Sequence, residues 1–231
     1  MIGFGTYRVA PDITADLVKC AILSGCTLID SAQLYKNEAE CWSVVREYPT
    51  VSYTTKIHRN LIINSNKDNR SIETSIVGVP NLVLLHSPDK NFEIAWEQLK
   101  RTGLPMGVSN FVQSDIEKLS TKPLVNQIEV TPFNEGKEIV SYCQSQSIVI
   151  QTHSSLTKGE LLDTHELVHS AKQFGLSPAQ AMIQWSINQG YIPIFSSKNH
   201  KHIEQIIRTK PTEVILPRLH IGYKTHPQYF V

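Results

Sequence analysis

The sequence predicts an α/β protein whose parallel strands close into a (β/α)8 TIM barrel wrapped by helices. Three observations carry that expectation. Short β-branched or aliphatic runs recur along the chain, apolar throughout rather than alternating, as strands covered on both faces must be. Amphipathic segments with helical spacing lie between them. The two alternate about eight times, at roughly 25 residues for most units, and 231 residues sit inside the roughly 200–400 expected for such a barrel. An open doubly wound sheet is the alternative, but its glycine-rich GxGxxG fingerprint is absent; "GFGTYR" supplies only G-x-G, ahead of the first helix.

The elements follow in order. "IGFG" (2–5) opens the chain as a short strand. "DITADLVKCAILSG" (12–25) reads as a helix with Asp12 as candidate N-cap and Gly25 as the stop. Strands are expected at "TLID" (27–30), "VSYTTK" (51–56) and "NLVLLH" (81–86). "NFEIAWEQLKRTG" (91–103) is a second helix, apolar at Ile94, Leu99 and its aromatics and closed by Gly103. Strands return at "PMGVSN" (105–110), "LVNQIE" (124–129) and "IVIQTH" (148–153). "SPAQAMIQWSINQG" (177–190) has Ser177 as cap, Pro178 at the first helical position and Gly190 at its end. "YIPIFSS" (191–197) is the last strand. With no low-complexity segment and no Pro/Gly/Ser-rich linker, a single barrel domain over residues 1–231 is expected.

Composition narrows the function classes. Hydrophobic residues make up 41% and charged residues 19%, ordinary for a protein with a packed core. A formal charge of +1 gives no electrostatic reason to expect nucleic acid or membrane as partner. Cys20, Cys26, Cys41 and Cys143 form no CxxC pair and no Cys/His ligand spacing, so reduced thiols are expected, and no metal. No run approaches the ~18 apolar residues a membrane helix needs. "MIGFGTYRVA" lacks a basic region followed by an apolar one, so a cytoplasmic protein is expected.

The barrel expectation directs attention to the C-terminal ends of the strands, where such folds build their sites. Those ends carry Asp30, Lys56, His86, Ser109 with Asn110, Gln127 with Glu129, His153, and Ser196 with Ser197; Tyr35 follows the second strand. Taken singly, Asp30 reads as a helix cap, Lys56 as a solvated cation and His86 as a satisfied loop histidine. One rim collecting an acid, an ammonium, imidazoles, amides and hydroxyls is harder to assign to separate bland roles.

On these residues the sequence resembles the aldo-keto reductase family. The motifs are "GFGTY" (3–7), "IDSAQLYKNE" (29–38), "TTK" (54–56), "LLHSP" (84–88), "GVSNF" (107–111), "VNQIEVTPF" (125–133) and "SPAQAMIQW" (177–185), in the family's order over almost the whole chain. The resemblance implies a (β/α)8 barrel that reduces an aldehyde or ketone with a nicotinamide cofactor, NADPH with NADH as the alternative, and a monomer. It maps the catalytic set onto Asp30, Tyr35, Lys56 and His86. Hydride reaching a carbonyl carbon leaves charge on oxygen, which needs a proton donor. The phenol of Tyr35 would supply it, Lys56 would lower its pKa, Asp30 would keep Lys56 charged, and His86 would orient the carbonyl. The resemblance further assigns Ser109, Asn110 and Gln127 to the nicotinamide amide. Gly5, Thr6, Asp30, His153, Ser154, Leu156, Ser196, Ser197, Lys198 and His202 fall to the rest of the cofactor. Tyr7, Tyr35, His86, Ser87 and Phe111 fall to the substrate, with the tail "HPQYF" (226–230) as a further lining.

Three departures from the family pattern stand out. His153 occupies the position usually held by an aromatic, most often Tyr, that stacks on the nicotinamide. The usual Pro-Lys-Ser and later Arg of the adenosine-phosphate clamp are replaced by Phe195, Ser196, Ser197 and His202, leaving "SSKNHKH" as the basic stretch. An Arg binds two phosphate oxygens through its planar fork, so its loss weakens the expectation of NADPH over NADH. The chain is also compact, beginning on the first strand without the family's hairpin and with shortened loops; Ser87 stands where many members carry Trp. A reductase-like barrel acting as a cofactor-binding or interaction module is the competing reading. A metal-dependent barrel hydrolase lacks a ligand set.

Overall fold

The computed structural model describes residues 1–58 and 76–216. Eight parallel strands close into a barrel in chain order: β1 (Gly3–Gly5), β2 (Leu28–Asp30), β3 (Ser52–Ile57), β4 (Leu82–Leu85), β5 (Met106–Ser109), β6 (Val125–Glu129), β7 (Val149–His153) and β8 (Ile192–Phe195). β8 pairs back onto β1, with Gly3 opposite Ile194. Each apolar run in the sequence forms the strand expected of it. β5 and β6 approach so closely at Gly107 that a Cβ there would sit 2.7 Å from the Val125 carbonyl oxygen, a contact only glycine allows.

Helices cover the barrel: α1 (Pro11–Leu23), α2 (Glu38–Val45), α3 (Phe92–Lys100), the single turn α4 (Gln113–Ile116), α5 (Lys137–Ser145), α6 (His165–Gln173), α7 (Pro178–Asn188) and α8 (His200–Ile207). α1 starts before the expected cap. Pro11 is its first residue, behind an extended Ala10, and Asp12 lies inside the first turn. Proline's fixed φ and missing N–H suit that position, and the Asp12 carboxylate faces the positive end of the helix dipole. α7 is capped as expected: Ser177 Oγ accepts from the Gln180 amide and Gln180 Oε1 from the Ser177 amide, a reciprocal capping box. In α3 the buried stripe is Phe92, Ala95, Trp96 and Leu99, whereas Ile94 is 55% exposed. Positions 92, 95, 96 and 99 fall on one face of a helix and 94 does not.

The core lies between barrel and helices in two clusters. One packs Val83, Val108, Ile128 and Ile150 beneath α3, α5 and α7, with Trp96 fully buried. The other packs Phe4, Ile29, Tyr53 and Phe195 beneath α1, α2 and α8. These shells fix the outer face of each strand and so aim the alternate residues at the barrel mouth. All four cysteines are free. Among the described residues, no helix is long and apolar enough to cross a membrane.

Candidate active site

Parallel register sets the site's geometry. Gly5 lies opposite Asp30, Asp30 opposite Thr54, Ser109 opposite Gln127, and Gln127 opposite Gln151. The polar strand ends therefore meet at one rim. They border a cavity of about 900 Å³ that runs from Tyr7, Tyr35 and His86 over the barrel mouth to Lys198, His202 and Gln205.

Lys56 is the hub at the deep end, with a relative exposure of 1%. An ammonium has three N–H bonds, and Lys56 spends one each on Asp30 Oδ2 (2.5 Å), the Ser31 carbonyl (3.1 Å) and Tyr35 Oη (3.3 Å). The second Asp30 oxygen accepts from Gln127 Nε2 at 2.8 Å, and Gln127 also donates to Gln151 Oε1 at 2.9 Å. The buried charge is thus paired and every lysine donor is used, the condition under which burying an ion pair is tolerable.

Tyr35 ends a short 3-10 turn (Gln33–Tyr35), and Lys36 behind it is left-handed at φ 57°. Asn37 holds that turn to the barrel, donating to the carbonyls of Thr6 and Val9 at 2.9 Å each. The Tyr35 ring stands edge-on to His86, 5.8 Å between centroids, and 5.1 Å from Tyr7. On the far side of the rim, His153 Nε2 meets Asn110 Oδ1 at 2.7 Å, while Asn110 Nδ2 donates to the His86 carbonyl and Ser109 Oγ. Asn110 Oδ1 only accepts, so this network puts the His153 hydrogen on Nε2.

Burial pushes the Tyr35 hydroxyl above the ordinary phenol value; the Lys56 charge pulls it back without prevailing. Lys56 acts in the expected direction, but the expected net lowering is not what results. Burial also works against the Lys56 charge, yet Asp30 and Tyr35 outweigh it and Lys56 lies above its ordinary value. Burial and then the Lys56 charge hold His86 well below the usual imidazole range. The same two causes bring His153 down to about 3. At neutral pH the rim therefore carries an ammonium, a protonated phenol and two neutral imidazoles.

Residues 1–213 match the sequence model of the aldo/keto reductase family. The chain belongs to that family. Glyoxal reductase of Bacillus subtilis is 32% identical over 227 residues, covering 87% of this chain and 80% of that protein. Methylglyoxal reductase DkgB of Escherichia coli O157:H7 is 28% identical over 232 residues, covering 90% and 86%. The crystal structure of a Gox0644 mutant in complex with NADPH superposes with a TM-score of 0.78 at 26% identity, covering 89% of this chain and 82% of that one.

This aldo/keto reductase brings most of the expected positions onto one cavity: Gly5, Asp30, Ser109, Gln127, His153, Ser154 and Leu156 join Tyr7, Tyr35, Lys56 and His86, and Ser196, Ser197, Lys198 and His202 form the other end. Three positions turn away from it. Thr6 is fully buried, its hydroxyl turned to Ser31 Oγ (2.9 Å) and Asn37 Oδ1 (3.1 Å) rather than to the cavity. Phe111 is 1% exposed and packs edge-on against Phe92 in the core. The cause is Asn110, whose left-handed φ of 65° redirects the chain between Ser109 and Phe111. Ser87 lies off the cavity wall and bonds Asp89 Oδ2 at 2.7 Å. Asn110, half-buried, bridges β4, β5 and β7 and bonds Ser109 and His153 of the cavity wall. The tail at 226–230 lies outside the described residues. Among those residues, no group of three or more His, Cys, Asp or Glu is placed to hold a metal.

Ser31, Asn37 and Gln151, which hold the hub from behind, and Arg8 and Lys158, which add cations to the cavity wall, were not among the expected residues. Ser31 acts through its carbonyl, which no side-chain pattern reveals. Asn37 carried a signal, since it follows Tyr35 within the quoted "YKNE".

Proposed function

We propose that this enzyme uses NADPH to reduce the carbonyl of a small aldehyde or ketone to the alcohol, with Tyr35 as the proton donor. The observation that carries this reading is the chain of contacts at the deep end. Tyr35 Oη lies 3.3 Å from Lys56 Nζ, which Asp30 holds at 2.5 Å, and the neutral His86 ring stands against Tyr35. NADPH, when bound, supplies the hydride equivalent. The phenol, protonated at neutral pH, gives its proton to the developing alkoxide, a far stronger base than phenolate. The phenolate left behind is stabilised by the Lys56 ammonium at hydrogen-bond distance. His86, kept neutral, donates from its ring N–H to the same carbonyl oxygen and orients it.

The donor set of the cavity suits the cofactor. Ser109 and Gln127 present acceptor oxygens near the deep end, their own hydrogens spent on Gln127, Asp30 and Gln151, and Lys158, Lys198 and His202 offer cations or donors for phosphates farther out. A volume of about 900 Å³ lies toward the upper end of small-ligand sites. Asp30, Lys56, Tyr35 and His86 serve as catalytic residues; Ser109, Gln127, His153, Ser154 and Leu156 hold the cofactor on the deep side, and Ser196, Ser197, Lys198 and His202 hold its far end. The reductases of glyoxal and methylglyoxal among the relatives support short dicarbonyls as first substrates. We further take the protein to be a single-domain cytoplasmic monomer.

The test is NADPH oxidation with glyoxal, methylglyoxal and an aldehyde panel, comparing wild type with Tyr35→Phe. Expected is turnover that drops about 10²–10⁴-fold in the variant while NADPH still binds. Cofactor binding without carbonyl-dependent turnover would favour a binding module and sink the enzyme reading.

A further inference from the structure

The buried carboxyl of Glu38 has no part in the proton delivery described above, yet it stands directly behind it. Glu38 opens α2, three residues after Tyr35, and is 6% exposed. Its Oε1 accepts from Thr55 Oγ1 and from Tyr53 Oη at 3.4 Å. Tyr53 and Thr55 lie on the outer face of β3, two residues apart, and Lys56 follows Thr55 on the inner face. The carboxyl therefore grips the back of the strand that carries Lys56, while its own backbone continues the segment that carries Tyr35. Asn37, one residue before it, ties the same segment to β1 through Thr6.

We propose that Glu38 is a positioning residue, clamping the Tyr35 turn to β3 so that Tyr35 Oη and Lys56 Nζ stay within hydrogen-bond reach. No other hydrogen bond among the described residues joins residues 36–45 to β3. The Tyr35–Lys56 contact is long, at 3.3 Å, and spans two separately anchored segments. Loss of the clamp frees those segments to move apart, and a displacement near 1 Å in a reacting pair costs about 10²-fold in rate. Glu38 touches neither substrate nor cavity, so its effect passes through Thr55 and Tyr53. Burial holds its carboxyl above the usual carboxylate range, and the facing groups are Tyr53, Thr55, the buried Cys41 thiol and, through the strand, Lys56. The clamp requires an acceptor oxygen, which a glutamine also provides.

This inference rests on the reading of Tyr35 and Lys56 as the proton-delivery pair, and the experiment separates the two. Wild type, Glu38→Gln, Glu38→Ala, Thr55→Val and the Glu38→Ala/Thr55→Val double variant are compared in kcat per NADPH-binding site, which counts only folded protein. Expected is a kcat loss of about 10–100-fold in Glu38→Ala and a smaller loss in Thr55→Val, with NADPH Kd little changed. The double variant falls no further than Glu38→Ala, because both changes break one contact, and Glu38→Gln recovers most of the rate. A second readout needs no turnover: the Lys56 15Nζ resonance, sharpened by three fixed hydrogen bonds, broadens in Glu38→Ala and stays sharp in Glu38→Gln. Unchanged kcat per site in Glu38→Ala, losses that multiply in the double variant, a glutamine as poor as alanine, or an unmoved Lys56 resonance overturns the clamp. Inactive wild type with the resonance responding as expected overturns the reductase reading and leaves the clamp standing.

Discussion

The two ends of the cavity are built differently. At the deep end Asp30, Lys56, Ser109 and Gln127 are nearly inaccessible and bonded across β2, β3, β5 and β6. At the outer end Ser196, Lys198 and His202 are exposed, and the hydroxyls there make contacts as long as 3.4–3.5 Å. Buried polar groups on strands leave no slack, since each lost partner costs a desolvated charge or dipole. Exposed side chains on a loop and the helix turn after it attract phosphate through solvent, where one cation substitutes for another at little cost. That contrast accounts for the loss of the family's phosphate clamp at the outer end. Asp30, Tyr35, Lys56, His86 and Gln127 keep the residue types of the pattern at the deep end, where only His153 in place of an aromatic departs from it, and the outer end has exchanged Lys and Arg for Ser and His.

The largest expected effect comes from breaking the deep end at its hub. Lys56→Met, which keeps bulk and removes charge, should lower kcat about 10³-fold with NADPH Kd nearly unchanged, measured by steady-state kinetics beside fluorescence titration. Next is Asp30→Ala, which strands a buried ammonium. A loss of about 3–5 kcal/mol in stability is expected, read from urea midpoints. Third is a pH effect at the same rim. His86 and His153 are both held neutral, so their folded pKa values lie below the unfolded value of about 6.5. The unfolded chain then takes up protons first, and stability is complete above pH about 6.5 and falls as the pH drops below it. His153→Gln should flatten that slope by at most one proton per molecule, measured as urea midpoint against pH. A smaller effect lies away from the cavity: Ser177→Ala removes the cap of α7 and should cost about 1 kcal/mol without altering turnover. The smallest sharpens the contrast from the outer end. Lys198→Ala should raise the NADPH Kd about two- to fivefold, the reach of an exposed ion pair, and leave NADH unaffected; equal affinities in the wild type would mean that this end does not distinguish the two.

What the sequence made legible follows the same division. Strand ends could be read because a parallel strand carries its polar residues at a fixed place after an apolar run, and Asp30, Lys56, His86, Gln127 and His153 were found that way. Phe111 was misread because a single left-handed residue, Asn110, redirects the chain after β5, and a linear motif does not show a sign change in φ. Thr6 was misread because its hydroxyl has two buried partners, Ser31 and Asn37, that are 25 and 31 residues distant. The start of α1 moved to Pro11 because proline needs no cap for its missing N–H. The raised Tyr35 value was out of reach for a different reason: burial outweighs one favourable charge, and depth is a property of the assembled rim.

The saturated ammonium of Lys56 has a chemical consequence of its own. Short dicarbonyls condense with free amines, and a lysine beside a pocket that admits them is exposed to imine formation and glycation. Attack on a carbonyl requires the amine's lone pair. Lys56 lies above its ordinary value and has all three hydrogens committed, so that lone pair stays occupied by a proton. The arrangement that polarises Tyr35 thereby also passivates the nearest amine toward any carbonyl that enters the cavity.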